Sequence, residues 1–358
     1  MYTQVYQNAG KHTKRTHVQQ PSTDDCSRTA SLYEAVVQLK RTTELLPENY
    51  PLYNKFYKLT KEKFYDLVSR HNPLIITSIP YQMKLKHTIV PYNNNYLLIK
   101  EDWDSSEELN NVTDYFTEII RIQCNFKNQI SPFDYWKNNY DIISNKYSDN
   151  TSIKTIRDYM YHNVKFCNNF RISVALTILK IFRARKWLDI SAGWGDRLLS
   201  AIGYGIDTYV GVDPNNNLHP YYDDMINMLV EPDKRKNFVV LNDGFETANI
   251  PKDDYDIVFS SPPFFDLETY SSSPKDSIIA HPSVDNWYND FLIVSLKKAY
   301  DNLIRGGHMV LYMGDSVGTK YIDNMVKYMN NLMKSNGSIY YFYEGAFVPR
   351  RMFVWKKI

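Results

Sequence analysis

The segment 259-FSSPPFFDLETYS-271 ends an apolar run, 255-YDIVFS-260, with Ser261, two prolines and two aromatic rings. Prolines cannot continue a β ladder, so the chain must leave the strand here in a stiff, preset path. Rigidity at the C-terminal end of a strand serves to hold something, and open α/β sheets bind their ligands at those ends. Three further stretches carry chemistry. In 188-LDISAGWGDRLL-199, Gly193 and Gly195 permit positive φ and close approach of a ligand to the main chain. This is either a binding loop or a mere tight turn. Asp213 ends the run 208-TYVGVD-213, 18 residues beyond Gly195. There a carboxylate accepts both hydroxyls of a ribose, or else caps the next helix. In 242-NDGFE-246, Asp243 is placed to accept from an adenine amino group with Phe245 against the ring, unless the pair is a plain Asp-Gly turn.

These residues need strands that end in one place. After about residue 150 the pattern supplies them: strands 186–190, 208–213, 237–242, 255–260 and 308–314 alternate with helices 172–182, 195–205, 217–229, 285–303 and 320–334. Alternation of this kind predicts a mostly parallel sheet covered on both faces. A closing hairpin, 338–345 and 352–357, is expected to add an antiparallel edge. Three regions follow: 1–30, a flexible basic arm; 31–150, mainly helical with short strands over 74–100; and 151–358, the α/β domain. Within the second, Ser131 and Pro132 read as the N-cap and first turn of a helix. The polar stretch 266–287 is either a lid or a disordered connector.

A glycine loop, a strand-end aspartate, an Asp-Gly loop and S-P-P-F follow successive strands in that order. The arrangement resembles the class I S-adenosylmethionine-dependent methyltransferases, among them the amino-methyltransferases that carry [DNS]-P-P-[YFW], over roughly residues 165–358. The resemblance implies a Rossmann-like sheet with a C-terminal antiparallel hairpin, preceded by a mainly helical region, and S-adenosyl-L-methionine as cofactor. It puts Ser191, Gly193, Gly195, Asp196, Asp213, Asp243 and Phe245 at the cofactor, with Asp189 and Phe170 beside it. It makes Ser261, Pro262, Pro263 and Phe264 catalytic: Ser261 and the Pro262 carbonyl hold the target amine, and Phe264 stacks on its ring. Phe265 or Tyr270 would form the second wall of a base-sized slot or pack within the loop. Arg197 opposes the helix macrodipole at a first turn. It would pair with Asp189, Asp196 or a substrate carboxylate. The stretch 114–136 resembles a helical region in methyltransferase-like proteins of large DNA viruses and phages.

Implied, then, is methyl transfer to an exocyclic amino nitrogen of a nucleic-acid base, adenine N6 or cytosine N4, in DNA or RNA, capped mRNA included. Methylation of a protein or small molecule, and a retired fold serving as a binding subunit, are the alternatives. A partner subunit and a homodimer both remain open. The formal charge of +2 advertises no global basic field. Three scattered cysteines exclude a disulfide scaffold or zinc site and point to a reducing, cytoplasmic setting. The N-terminus lacks an apolar signal core, and no apolar stretch approaches the ~20 residues of a membrane span. No metal is expected.

Overall fold

The computed structural model describes residues 46–72, 74–76, 96–100, 103–127, 129–147, 150–316, 318–343 and 350–358. The basic arm, residues 31–45 of the region expected to be mainly helical and residues 77–95 of the stretch expected to form short strands lie outside the described residues. Pro47–Ile358 form one compact unit.

The strands in chain order are β1 (Leu74–Ile76), β2 (Tyr96–Lys100), β3 (Asn125–Phe126), β4 (Lys186–Asp189), β5 (Thr208–Val212), β6 (Phe238–Leu241), β7 (Tyr255–Ser260), β8 (Glu268–Thr269), β9 (Leu303–Tyr312), β10 (Ser338–Tyr343) and β11 (Arg350–Lys356). Nine of them form one sheet in the order β1-β2-β10-β11-β9-β7-β4-β5-β6. The run β6-β5-β4-β7-β9 is parallel throughout, and β11 is antiparallel to both β9 and β10. From β4 the chain winds outward to β5 and β6, then returns to place β7 on the other side of β4. That reversal is the topological switch point, where the crossover loops part and leave a crevice. This is a Rossmann-like open sheet with an antiparallel C-terminal hairpin.

Alternation along each strand divides the core. Trp187, Tyr209, Phe259 and Val310 face one side, against helices α1 (Lys61–Arg70), α2 (Trp103–Asn110), α3 (Val112–Arg121), α4 (Ile172–Phe182), α5 (Asp196–Tyr204) and α6 (His219–Leu229). Leu188, Val210, Val258 and Met309 face the other, against the helical run 284–302 and α7 (Ile322–Met333). Strands buried on both faces carry near-continuous apolar sequence, which is why β7 matches its expected bounds residue for residue. α4 does too.

Three expectations need correction. The hairpin is not an edge: β11 lies inside, between β9 and β10, and β10 pairs in parallel with β2, so that β1 is the outermost of the described strands on that side. β9 starts five residues before its expected position. Gly306, at φ +83, lets the chain bulge so that Tyr255 opposes Leu303 while Ile257 opposes His308. The helix expected over 285–303 contains a π-helical stretch, Trp287–Ile293, between Val284–Asn286 and Val294–Asn302. Trp287 and Phe291, four residues apart, both enter the core. The 266–287 stretch is ordered rather than a disordered connector: β8 pairs with β3, and Asp276 caps a short helix, accepting from Ile278 N.

A smaller apolar cluster packs Tyr50 against Phe133, Trp136, Ile143 and Met160 of the helices between 132 and 163, where Ser131 accepts from Asp134 N as the expected cap. At its border lies a buried ion network. Asp114 pairs with Arg121 (2.5 Å) and Arg157 (2.5 Å), and Arg157 with Glu118 (2.9 Å). Burial pushes the Asp114 carboxyl up, but the two guanidiniums more than offset it and hold its pKa below the usual value. Burial, then the Asp114 charge, holds Glu118 above its own.

Candidate active site

At the C-terminal ends of β4, β5 and β7 the loops enclose a cavity of about 440 Å³. Its floor is the loop after β4. Gly193 has φ +60 and Gly195 φ +96, which only glycine adopts at low cost. The two serve different ends. A Cβ on Gly193 would meet nothing nearer than Arg197 Nη2, at 3.7 Å, so this position opens toward the cavity. A Cβ on Gly195 would lie 2.6 Å from Met225 Cε, because here the loop presses on α6.

Asp213, at the tip of β5, lines the cavity and is 7% exposed. Its Oδ2 accepts from Gly193 N (2.9 Å) and its Oδ1 from Asn215 N (3.0 Å). Each oxygen keeps a second lone pair, so the carboxylate fastens two loops and can still accept from a ligand. Burial raises its pKa to about 7 despite those two amides. Asp196 lines the cavity as well. It accepts from Thr113 Oγ (2.6 Å) and Phe170 N (3.2 Å), and burial again brings its pKa to about 7. Thr117 Oγ donates to the Trp194 carbonyl (2.9 Å). Through Thr113 and Thr117, α3 therefore fixes the glycine loop from behind.

The S-P-P-F segment forms the wall after β7. Ser261, Pro262, Pro263 and Phe264 all line the cavity, with Phe264 tilted against Tyr312 (5.9 Å between centroids). Tyr312 meets Phe170 edge to face (5.5 Å), so three rings border the cavity together. Ser191, Phe170, Phe245 and Tyr270 complete the sequence-expected residues found there. Tyr270 donates to Glu268 Oε2 (2.6 Å), and its ring meets Trp194 edge to face (5.8 Å).

Four expected residues do not line the cavity. Asp189 is fully buried behind it: Oδ1 accepts from Ser260 Oγ (2.7 Å), and Oδ2 from Arg197 Nε (2.8 Å) and Tyr209 OH (2.9 Å). It ties the ends of β4 and β7 to each other and to Tyr209 of β5 and Arg197 of α5. Gly195 faces α6, as above. Asp243 turns to Lys275 Nζ (2.9 Å), Thr247 Oγ (3.0 Å) and Gly244 N (2.9 Å). Phe265, at φ +52, turns the chain away, and its ring packs edge to face on Trp287 (5.7 Å) in the second core. A left-handed non-glycine residue costs roughly 1–2 kcal/mol, a local strain placed directly after the proline pair.

Sequence reasoning missed Glu268, Asn168, Trp194 and Asn215, all of which line the cavity. Glu268 accepts from Asn168 N (3.1 Å), and burial raises its pKa. No local pattern marks it, since the β3–β8 pairing brings it there. Asn215 did carry a signal, lying two residues after Asp213 in the Asx-turn position. Among the described residues no group of three His, Cys, Asp or Glu could hold a metal, and no helix is long and apolar enough to cross a membrane.

No family model and no curated protein matches the sequence. Solved structures that resemble it include the CcbJ methyltransferase from Streptomyces caelestis, at 17% identity over 38% of this chain and 46% of that one, TM-score 0.29. Another is TrmN from Thermus thermophilus, at 14% over 53% and 49%, TM-score 0.36. A third is a methyltransferase from Pyrococcus furiosus, at 17% over 62% and 98%, TM-score 0.36. The match spans about half the length of the first two. At these scores the likeness adds nothing to what the strand order already shows.

Proposed function

We propose that this chain transfers a methyl group from S-adenosyl-L-methionine to an exocyclic amino nitrogen of a nucleic-acid base, adenine N6 or cytosine N4, in DNA or RNA. One observation carries the reading: Gly193, Asp213 and the whole of Ser261–Phe264, from three separate strand ends, line a single cavity at the switch point. Its size falls within the range of small-molecule sites.

The residues present fit the cofactor. Asp213 retains lone pairs for ribose hydroxyls, Gly193 leaves room for a ligand against the main chain, and Phe245 offers an apolar wall beside Gly244. When bound, the sulfonium supplies a methyl group already activated for transfer. The chain's task is then alignment and acceptance of hydrogen bonds. Ser261 Oγ and the Pro262 carbonyl accept from the amine's two protons. This favours the pyramidal nitrogen, whose lone pair is released from the ring and free to attack. Neither proline has an N–H, and their fixed torsions hold the acceptors without reorganisation. Phe264 stacks on the flat ring, backed by Tyr312. Such a site needs the base extruded or single-stranded.

The test is incubation with methyl-labelled S-adenosylmethionine and, separately, DNA, uncapped RNA, capped RNA and a protein extract, followed by digestion and mass spectrometry. Label in N6-methyladenine or N4-methylcytosine supports the proposal. Label only in protein or a small molecule replaces its substrate. Absence of both label and cofactor binding refutes it and leaves a retired fold.

A further inference from the structure

The stretch after S-P-P-F is fastened across the strand ends. β8 pairs with β3, the Tyr270 carbonyl accepts from Asn215 Nδ2 (3.4 Å) beyond β5, and Lys275 Nζ reaches Asp243 (2.9 Å) beyond β6. It thereby sets two carboxyls into the cavity lining, Glu268 at 8% exposure and Asp276 at 4%. Among the described residues both have only neutral partners. Glu268 accepts from Asn168 N and Tyr270 OH, and Asp276 from Ile278 N (3.3 Å) and Ser271 Oγ (3.1 Å). Asp213 and Asp196, which line the same cavity, are likewise held by amides and one hydroxyl alone. Of the cations in the lining, Arg197 and Lys275 are matched by Asp189 and Asp243, which stand outside it. That leaves Arg171 to set against four carboxyls.

Glu268 is the least compensated by its surroundings. Arg121 of α3 acts on it only from a distance and is itself paired with Asp114. Its other titratable neighbours, Tyr270, Cys124 and Cys167, are uncharged, since burial raises the pKa of each. Asn169 adds a further acceptor to the lining. Its Nδ2 donates to Asp114 Oδ1 (2.7 Å), an ionised carboxylate that can only accept, so the amide cannot turn over. Oδ1 is left buried without a partner. Buried acceptors and like charges are costly together unless a cation arrives. Among the described residues no group of three could hold a metal, so the charge that suits the place belongs to an organic ligand. We infer that the cavity selects its ligand by positive charge, with Glu268 the residue that decides it, and so holds S-adenosylmethionine more tightly than the neutral thioether left after transfer. The inference rests on the cofactor reading above and adds to it a preference between cofactor and product.

Calorimetric titration of the full chain tests it with two pairs of ligands, each differing by one S-methyl group and one positive charge. The pairs are S-adenosylmethionine with S-adenosylhomocysteine, and 5′-dimethylsulfonioadenosine with 5′-methylthioadenosine. The second pair lacks the amino-acid end and reads the charge at sulfur by itself. On the wild type the cationic member of each pair binds at least about tenfold more tightly, beyond the roughly fourfold that burying a methyl gives. In Glu268→Gln, which keeps the shape and loses the charge, that preference falls at least about threefold, while the neutral members bind within about threefold of the wild type. A merely structural role would weaken both members of a pair alike. On the wild type the preference also grows from pH 6 to 8, because a cation favours the ionised carboxyls and its binding releases protons. An undiminished preference in Glu268→Gln overturns the inference. Should that variant fail to fold, a wild-type preference that does not change with pH overturns it instead. Binding of all four ligands without regard to charge sinks the selection alone and leaves the cofactor reading standing. Binding of none removes both.

Discussion

Gly193 and Gly195 stand two residues apart in one loop, yet alanine at each should fail in a different way. At Gly193 the backbone lies at φ +60, inside the left-handed region, and the new methyl would touch only Arg197 Nη2 at ordinary contact distance. The strain for alanine is roughly 1–2 kcal/mol. Loss of glycine's freedom in the unfolded chain returns about 0.4–1 kcal/mol, so the net destabilisation is about 1 kcal/mol. The methyl projects into the cavity, however, where the ligand must meet the main chain. At Gly195 the backbone, at φ +96, is farther from any well open to alanine, and the methyl would sit 2.6 Å from Met225 Cε and 2.8 Å from its sulfur. Overpacking adds about 1–3 kcal/mol, toward the lower end because the methionine tip can shift. Gly195→Ala is thus expected to lose about 2–4 kcal/mol. Urea unfolding reads the stabilities, and calorimetry with S-adenosylhomocysteine reads the site. Gly193→Ala should remain nearly as stable as the wild type and bind at least about tenfold more weakly. Gly195→Ala should be the less stable and, where folded, bind almost normally. Equal stability losses would refute the division of labour, and so would unaltered binding in Gly193→Ala.

Other consequences are open to measurement. Asp213 and Asp196 both titrate near 7 when folded, against about 4 when unfolded. Between those values the native state holds the extra protons, so these two groups lower stability as pH rises from about 4 to 7 and add no further slope above. Asp213→Asn should flatten that slope in urea unfolding at pH 5, 6, 7 and 8. Affinity for S-adenosylhomocysteine should rise from pH 6 to 8 in the wild type, as the carboxylate ionises, and rise less in Asp213→Asn. Ser261→Ala should cut methyl transfer by about a hundredfold or more, while calorimetry finds cofactor affinity unchanged. Arg157→Met takes from buried Glu118 the guanidinium 2.9 Å away, while Asp114 keeps Arg121, so urea unfolding should show a loss of about 3–5 kcal/mol. Adding Glu118→Gln to that variant should recover part of the loss.

What the sequence made legible follows from what is local. β7 and α4 fall where their residues say because each is read from a continuous apolar run. Gly193, Asp213 and Ser261–Phe264 were legible because the ends of parallel strands meet at one edge, so order along the chain becomes proximity. Whether a strand-end carboxylate faces ligand or core is decided by distant partners. Asp189 was drawn inward by Ser260, Tyr209 and Arg197, and Asp243 was taken by Lys275. Phe265 follows a motif that expects an aromatic wall, yet its positive φ sends the ring to Trp287. Glu268 and the inner position of β11 depend on pairings between segments far apart, and no local window contains those.

The pairing of β2 with β10 sets a timetable for synthesis. Tyr96–Lys100 leave the ribosome early, and β1 can pair along one side of them. The other side belongs to Ser338–Tyr343, near the end of the chain. At about 5–20 residues per second, roughly 12–50 s separate the two segments. Throughout that interval β2 presents an open row of backbone donors and acceptors, the kind of edge on which nascent chains associate. A cell making this protein must either shield that strand or keep the chains apart until the last strands emerge to close the sheet.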